Sequence, residues 1–276
     1  MLKINDFKQI TQLFFRKNLD FIKVLHLIQI YMEQNNYSLF SKKELFRMAH
    51  DAKGNSFLLN AIPSTKRRKV MDDNMHLMSG MTFENGYPVL NSYKGTIELR
   101  PIAYSDKSAS PNEFDILHFF LDDYRFRDAV WYNLERTTYV ISPYNYLFTP
   151  DLSLWCNLRT EFFNQKNIFR TRFIGAYWQM CGFNVIPTAS WGGLESFSYC
   201  FMGLPKQSVI AVSAMGARKN NKAFDLWRYG IDRLIIEKEP TQLLVYGEEF
   251  DIPGINTPVH FLPTFISKHF RNGSEK

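Results

Sequence analysis

The sequence has few cysteines and no cysteine motif. Three cysteines occur in 276 residues, and they form no C-x-x-C pair. Because their number is odd and their spacing is wide, reduced and packed thiols are favoured over a disulfide framework or a cysteine-ligated metal. The six histidines are scattered, without an H-E-x-x-H motif or a carboxylate-rich loop beside them, so the sequence predicts no metal site. The cysteines are Cys156, Cys181 and Cys200.

Long apolar runs and phosphate-binding motifs are also missing. No stretch approaches the roughly 20 unbroken apolar residues that span a bilayer. The start, MLKINDFKQI, has no apolar segment behind a basic one. We therefore expect a cytoplasmic protein with no membrane association. Neither G-x-x-x-x-G-K-[ST] nor G-x-G-x-x-G occurs, which disfavours a P-loop NTPase or a dinucleotide enzyme, and no motif indicates a cofactor.

Positive charge is present and unevenly placed. Residues 1–110 carry 16 Lys+Arg against 10 Asp+Glu, whereas residues 111–276 carry 17 of each. The net charge of +6 therefore lies in the first part of the chain. Nucleic acid is the commonest polyanion that such a surface binds, because neutralised phosphates release counterions. A solvated basic surface without a partner is the alternative.

The first part of the chain is predicted to be mainly helical. Apolar residues recur at three- and four-residue spacing between residues 4 and 35, and Ser41 with Glu44 has the spacing of a capping box. Two helices around the turn in "DAKGN" resemble a helix-turn-helix, although any small helical cluster would give a similar pattern. The basic run Lys66, Arg67, Arg68 and Lys69 suits either a solvated loop or a phosphate backbone.

Turn-forming residues dominate the next segment. Residues 79–112 contain Asn85-Gly86 and several glycines and prolines around segments such as "GTIELRPIAY", which predicts a hairpin or two. "SDKSASPNE" reads as a linker. We therefore expect a basic, mainly helical module over 1–110 and a second domain over 111–276.

From residue 114 onward, short apolar runs alternate with amphipathic stretches long enough to be crossover helices. This alternation predicts an α/β fold with a mostly parallel sheet of about six βα units, either doubly wound or a partial barrel. The apolar runs are "ILHFFL", "YNYLFT", "FNVIPTAS", "SVIAVSA", "TQLLVYG" and "PVHFLP". The stretches between them include "RFRDAVWYNLER", "LRTEFFNQKNIFRTRFIGAYWQMCG" and "AFDLWRYGIDRLIIEKE".

Polar residues follow these strands where ligands bind in parallel α/β folds, at the carboxyl ends of the strands. Asp122, Asp123 and Asp151 are the candidate catalytic residues, because paired carboxylates can split their pKa values or hold Mg²⁺. Helix capping is the alternative role, especially for Asp151. We expect the three aspartates to share one cleft. The candidate substrate-binding residues are Ser153, Trp191, Ser213 and Tyr246.

Two arginines lie on the longest amphipathic stretch. Arg170 and Arg172 precede Tyr177 and Trp178, a combination that can bind phosphates and stack bases. The commoner arrangement is a helix that buries its aromatics while its arginines pair with acids. The second arrangement is the one expected here.

Five blocks of this region resemble a family of bacterial and bacteriophage proteins catalogued as a domain of unknown function. The resemblance covers about residues 114 to 250 and implies a phage or another mobile element as the setting. The blocks are "HFFLDDYRFRDAVW", "FTPDLSLW", "FIGAYWQMCGFNVIPTASWGG", "SFSYCFMGLPKQSVIAVSAMG" and "LLVYGEE".

Three hypotheses about function follow. The first is a nucleic-acid-associated protein of a mobile element, in which the basic part docks on DNA through Lys66 to Lys69 and the α/β domain acts at its carboxylate cleft. The second is an enzyme on a small nucleotide- or sugar-like substrate. The third is a non-catalytic protein that binds a host factor.

Overall fold

The computed structural model describes residues 73–156 and 158–264. The helical stretch over 4–35, the segment that resembles a helix-turn-helix and the basic run at 66–69 lie outside the described residues. None of the helices in the described part of the chain is both long enough and apolar enough to cross a bilayer.

The described residues form ten strands and four α-helices. The strands are β1 Phe83–Glu84, β2 Tyr87–Pro88, β3 Arg100–Ala103, β4 Asp115–His118, β5 Tyr146–Phe148, β6 Asn184–Ile186, β7 Thr188–Ala189, β8 Val209–Ser213, β9 Gln242–Tyr246 and β10 Val259–Leu262. The helices are α1 Arg127–Tyr132, α2 Leu134–Val140, α3 Glu161–Met180 and α4 Asn221–Lys238. Each of the six apolar runs contributes a strand, and each of the three amphipathic stretches contributes a helix.

The strands from β3 to β10 are parallel and adjacent in chain order. Hydrogen bonding gives one sheet in the order β3-β4-β5-β6 and a second in the order β7-β8-β9-β10. Pro187 alone separates β6 from β7, and its carbonyl accepts a hydrogen bond of 2.8 Å from Ala211 of β8. A doubly wound sheet reverses its strand order at a switch point. Here the order runs once in one direction, which is the order of a partial β/α barrel.

The sheet is curled, so that distant strands meet on its inner face. Phe120 follows β4 and Tyr246 ends β9, and the centroids of their rings lie 4.6 Å apart. His118 of β4 lies 4.9 Å from the same tyrosine ring. A buried apolar cluster fills this inner space with side chains from successive strands: Ile116, Phe148, Ile186, Val209, Ala211, Leu244 and Leu262. The inner face is therefore a packed core.

The segment before β3 covers the amino ends of the strands. The Tyr93 carbonyl accepts a hydrogen bond from the Val209 amide at 3.0 Å, and the Tyr93 amide donates to the Ser208 hydroxyl at 2.8 Å. Its ring packs edge-on against Tyr146 at the start of β5. The carboxyl ends of the strands lie at the opposite edge.

Two details between residues 79 and 112 refine the expectation of hairpins. β1 and β2 pair antiparallel around Asn85 and Gly86, whose positive φ angles of 48° and 85° suit a tight two-residue turn. "GTIELRPIAY", in contrast, supplies β3, which is parallel to β4 and not half of a hairpin. Pro101 is tolerated there because β3 is an edge strand. The parallel sheet thus includes residues on both sides of position 110.

Within the described residues, the arginines of α3 form no ion pair with an acid, contrary to the expectation from the sequence. Arg172 is fully buried and donates to three backbone carbonyls: Nε to Met202 at 3.0 Å, Nη1 to Thr188 at 3.1 Å and Nη2 to Cys200 at 2.7 Å. Arg170 places its guanidinium 4.9 Å from the ring centroid of Trp131. The planar fork of Arg172 can serve three acceptors at once, which explains an arginine at this buried position.

Replacing Arg172 by methionine should therefore destabilise the fold strongly. Three buried carbonyls would lose their donor, and we expect the free energy of unfolding to fall by about 3–5 kcal/mol. Denaturant unfolding measures this change. Gln165→Met on the exposed side of the same helix is the matched control and should change stability by less than about 0.5 kcal/mol. Equal effects of the two substitutions would contradict the structural role of Arg172.

Candidate functional site

A cavity of about 600 Å³ opens at the carboxyl edge of the sheet. Its walls come from the segments that follow β4, β5, β7, β8, β9 and β10. Ligand sites of β/α barrels lie at this edge, and the volume is in the usual range of small-molecule pockets. The described wall includes six of the residues that the sequence predicted: Asp122, Asp151, Ser153, Trp191, Ser213 and Tyr246.

Asp151 lies in the wall directly behind β5 and is partly buried. Burial raises the pKa of Asp151 from its ordinary 3.8 to about 7, because the carboxylate loses hydration. A hydrogen bond from Ser190 opposes this effect, and the negative charge of Asp123 adds to it. The carboxyl group therefore exchanges its proton near neutral pH.

Helix capping does not account for these aspartates. Residues 152–155 behind Asp151 are irregular, and the next helical turn begins at Leu158. Asp122 precedes a short 3-10 turn over Asp123–Arg125, but its side chain makes no capping hydrogen bond. The segment described directly behind Asp151 therefore contains no helix for it to cap.

Asp123 links two of the segments that form the wall. Its Oδ1 accepts hydrogen bonds from the amide of Ser153 at 3.1 Å and from the hydroxyl of Ser153 at 2.9 Å. Ser153 lines the cavity, whereas the described wall does not include Asp123. The pair holds the segment after β4 against the segment after β5.

Helix α3 fixes the segment after β5 from the other side. Thr171 donates to the Pro150 carbonyl at 3.0 Å, and Asn167 donates to the Ser153 carbonyl at 2.8 Å. Asn164 accepts from the Trp155 amide at 2.9 Å and donates to its carbonyl at 2.8 Å. These three side chains are buried, so they hold residues 150–155 without exposure to competing water.

Trp191 is held by close contact with helix α4. A Cβ atom at Gly230 would lie 2.1 Å from Cε2 of Trp191, so only glycine allows the indole to approach the helix this closely. Phe197 and Phe201 pack against the same indole with ring centroids 6.2 Å and 6.0 Å away. The neighbouring Gly192 permits a second close approach, since a Cβ there would lie 2.6 Å from the Trp155 carbonyl oxygen.

The remaining predicted residues also have defined surroundings. Tyr246 stacks on Phe120, and both rings line the cavity. The hydroxyl of Ser213 accepts a hydrogen bond from the Met215 amide at 3.2 Å, and the indole of Trp227 donates to the Ser213 carbonyl at 2.9 Å. The cavity is thus lined by fixed aromatic rings and a few polar groups.

Sequence reasoning missed several wall residues. Arg125 lines the cavity, and its Nε lies 3.6 Å from a carboxylate oxygen of Asp122. The three-residue separation of the two, within a helical turn, is the signal that could have indicated this pair. Ser190, Cys156 and Thr264 also line the wall. Over 73–156 and 158–264, no group of three or more His, Cys, Asp or Glu is placed to hold a metal ion.

Gly230→Ala should displace Trp191 from the wall. At an exposed helical position this change would stabilise the protein by about 1 kcal/mol through helix propensity. Here the new methyl group overlaps the indole, and we expect a net loss of about 1–3 kcal/mol. Thermal unfolding and the tryptophan emission spectrum measure the two effects. Asp225→Ala on the exposed side of α4 is the control, and stabilisation by Gly230→Ala would contradict the contact.

Comparison with known proteins gives relatives from phages. The chain is 42% identical to the Gene 1 protein of Mycobacterium phage L5 over 144 residues, which is 50% of this chain and 62% of that protein. It is 38% identical to the Gene 1 protein of Mycobacterium phage D29 over 160 residues, 58% of each. The chain thus matches about three fifths of the length of these curated relatives. No solved structure matches it.

The family resemblance seen in the sequence is confirmed and extends further than expected. The family described as Domain of unknown function (DUF4417) matches residues 88–260, whereas the sequence blocks covered about 114 to 250. The added residues include β3, so the family region contains the first strand of the parallel sheet as well. With more than half of its length matched, the chain belongs to the DUF4417 family.

Proposed function

We propose that the chain is an enzyme that acts on a small sugar- or nucleotide-like substrate in the strand-end cleft, with Asp151 as the acid–base catalyst. The observation that supports this most strongly is a carboxyl group with a pKa of about 7 in the wall of a cavity at the carboxyl edge of a parallel sheet. A catalytic acid or base works best when its pKa lies near the working pH. Perturbed carboxyl groups in clefts are concentrated at functional sites.

The neighbouring residues support distinct roles. Ser190 orients the Asp151 carboxyl group through its hydrogen bond. Asp122 supplies a second carboxyl group in the same cavity, and Trp191 and Tyr246 line this cavity as well. A proton-bearing carboxyl group beside a second one serves the hydrolysis of a bond at an acetal carbon, as in glycosides and nucleosides. Asp123 acts through Ser153, as a positioning residue.

Loss of turnover in Asp151→Asn tests this proposal. Full-length protein is incubated with chromogenic glycosides and with nucleosides, and product release is followed. We expect turnover of at least one substrate and a fall of about 10²–10⁴-fold in kcat for the variant, which cannot exchange a proton. Asp128→Asn, at an exposed position on α1, is the matched control. Turnover that is equal in Asp151→Asn and the wild type, or absent with every substrate, would contradict the proposal.

Asp151 should also lower the stability of the folded protein at neutral and alkaline pH. Below about pH 4 the folded and unfolded chains both hold the proton. As the pH rises from about 4 to 7, the unfolded chain releases the proton while the folded chain keeps it, so the free energy of unfolding falls. Above the folded pKa both states are ionised, and this loss of stability remains constant.

Asp151→Asn removes this titration, so the variant should be more stable than the wild type at pH 8 but not at pH 4. One pH unit of pKa difference corresponds to about 1.4 kcal/mol, and the partial solvent contact of Asp151 reduces the full effect to about 2 kcal/mol. Denaturant unfolding at both pH values measures the change. A stability difference that does not vary with pH would rule out the buried carboxyl group.

We propose nucleic-acid docking by the first part of the chain as a second function, which the charge asymmetry of the sequence favours. All of the net positive charge lies within residues 1–110. Similarity to mycobacteriophage proteins supports a phage or mobile-element setting, in which DNA is an available partner. The docking residues would be Lys66, Arg67, Arg68 and Lys69. The cytoplasmic location expected from the sequence also stays a prediction.

Replacing Lys66 to Lys69 by alanine should weaken retention on a DNA column at low salt. Because each phosphate contact releases counterions, the salt concentration needed for elution should fall. Lys219→Ala with Lys222→Ala, a pair of exposed lysines outside the basic run, is the control. Unchanged retention of the 66–69 variant would remove this run from the proposal.

A further inference from the structure

The charged side chains of the cleft do not favour an anionic ligand. Among the side chains described, those that carry charge in the wall are Asp122, Arg125 and Asp151. Arg125 lies 3.6 Å from Asp122, so this cation already has an acidic neighbour. A phosphate group that approached Arg125 would also lie near the carboxylate of Asp122, in a cleft that contains Asp151 as well. The electrostatic balance of the described wall therefore disfavours phosphate.

Four backbone amides in the segment after β8 are also occupied. β/α barrels often bind phosphate with loop amides and with the amino end of a helix near the last strands. Between β8 and the first turn of α4, four backbone amides donate to groups of the same segment. The donors and acceptors are Met215 to the Ser213 hydroxyl, Ala217 to the Ala214 carbonyl, Lys219 to the Gly216 carbonyl, and Ala223 to the Asn220 side chain.

The groups that remain suit a neutral ring that carries hydroxyl or amine donors. The carboxyl groups of Asp122 and Asp151 can accept hydrogen bonds from such donors. The partly exposed ring of Trp191 offers apolar surface to the face of a sugar or a base, and the almost fully buried rings of Phe120 and Tyr246 also line the wall. Aromatic walls with a few polar groups that fix orientation are typical of small-molecule sites.

We infer that the cleft takes an uncharged, hydroxyl-bearing ring compound, a sugar or a nucleoside, and selects against its phosphorylated form. This inference rests on the proposed function, since it names the substrate class of the same site. The selectivity comes from the two carboxyl groups of the wall, the acidic neighbour of Arg125 and the four internally bonded amides after β8.

Cys156 provides a direct readout of occupancy. It is the exposed thiol of the three cysteines and lines the cleft, whereas Cys181 and Cys200 are buried. Burial also raises the pKa of the Cys200 thiol to about 12 and that of Cys181 further, so these two react slowly. A ligand in the cleft should therefore slow the alkylation of Cys156, and Cys156→Ser identifies the background rate.

The test uses the full chain with adenosine, uridine, cellobiose and N-acetylglucosamine, each beside a phosphorylated counterpart: adenosine and uridine 5′-monophosphate, cellobiose phosphate and N-acetylglucosamine 6-phosphate. Calorimetry measures the affinity of each compound, and the rate of Cys156 alkylation shows whether the compound binds in the cleft. We expect at least one neutral compound to bind about tenfold more tightly than its counterpart and to slow the alkylation several-fold. Comparison of the nucleosides with the sugars shows which of the two classes of compound the cleft binds.

Equal or tighter binding of the phosphorylated compounds, or no binding of any neutral compound, would overturn the inference. Trp191→Leu should weaken neutral binding, and Trp155→Leu, at an exposed position outside the described wall, should not. Protection of Cys156 in the wild type keeps the test decisive if Trp191→Leu fails to fold. Binding of a neutral compound without turnover would contradict the proposed enzymatic function and leave this inference intact. Turnover of a phosphorylated substrate would contradict this inference and leave the proposed enzymatic function intact.

Discussion

The buried side of helix α3 carries polar side chains among its apolar ones, and the placement of the cleft depends on them. Asn164, Asn167 and Thr171 bind the backbone of residues 150–155, and Arg172 binds three carbonyls from β7 and the segment behind it. An apolar helix face would pack against the sheet without fixing an irregular segment. Because these side chains are withdrawn from water, each hydrogen bond also orients the chain it holds. The helix therefore positions Asp151 as well as covering the sheet.

The curl of the sheet supplies the second constraint. Strands that follow one another in the sequence are neighbours in the sheet, so their carboxyl ends meet around one opening. The inner core of aromatic and aliphatic side chains ends at Phe120 and Tyr246, which form part of the cavity wall. A carboxyl group at this boundary is partly removed from water by the core beneath it. The raised pKa of Asp151 is thus a consequence of where β5 ends.

Much of the fold and of the cleft could be predicted from local sequence pattern. The apolar runs predicted the strands, and the residues at their carboxyl ends predicted a shared cleft. Six of these residues line one cavity: Asp122, Asp151, Ser153, Trp191, Ser213 and Tyr246. The segment of β3 was expected to be part of a hairpin, and its parallel pairing with β4 was missed because local sequence pattern does not reveal which strand is the partner. The roles of Asp123, Ser190 and Arg172 depend on partners distant along the chain, which periodicity does not reveal. Glycine at 230 is understood only once Trp191 packs against it.

The carboxyl group of Asp151 connects the fold to the proposed chemistry. Its burial lowers the stability of the folded protein and also brings its pKa near neutral pH. Its titration by carbon-13 NMR of the side-chain carboxyl, assigned with Asp151→Asn, measures this directly in the full chain without a substrate. The account predicts a midpoint of about 7. A midpoint near the ordinary 3.8 would contradict it, since the carboxyl group would then be fully ionised at neutral pH and unable to act as an acid.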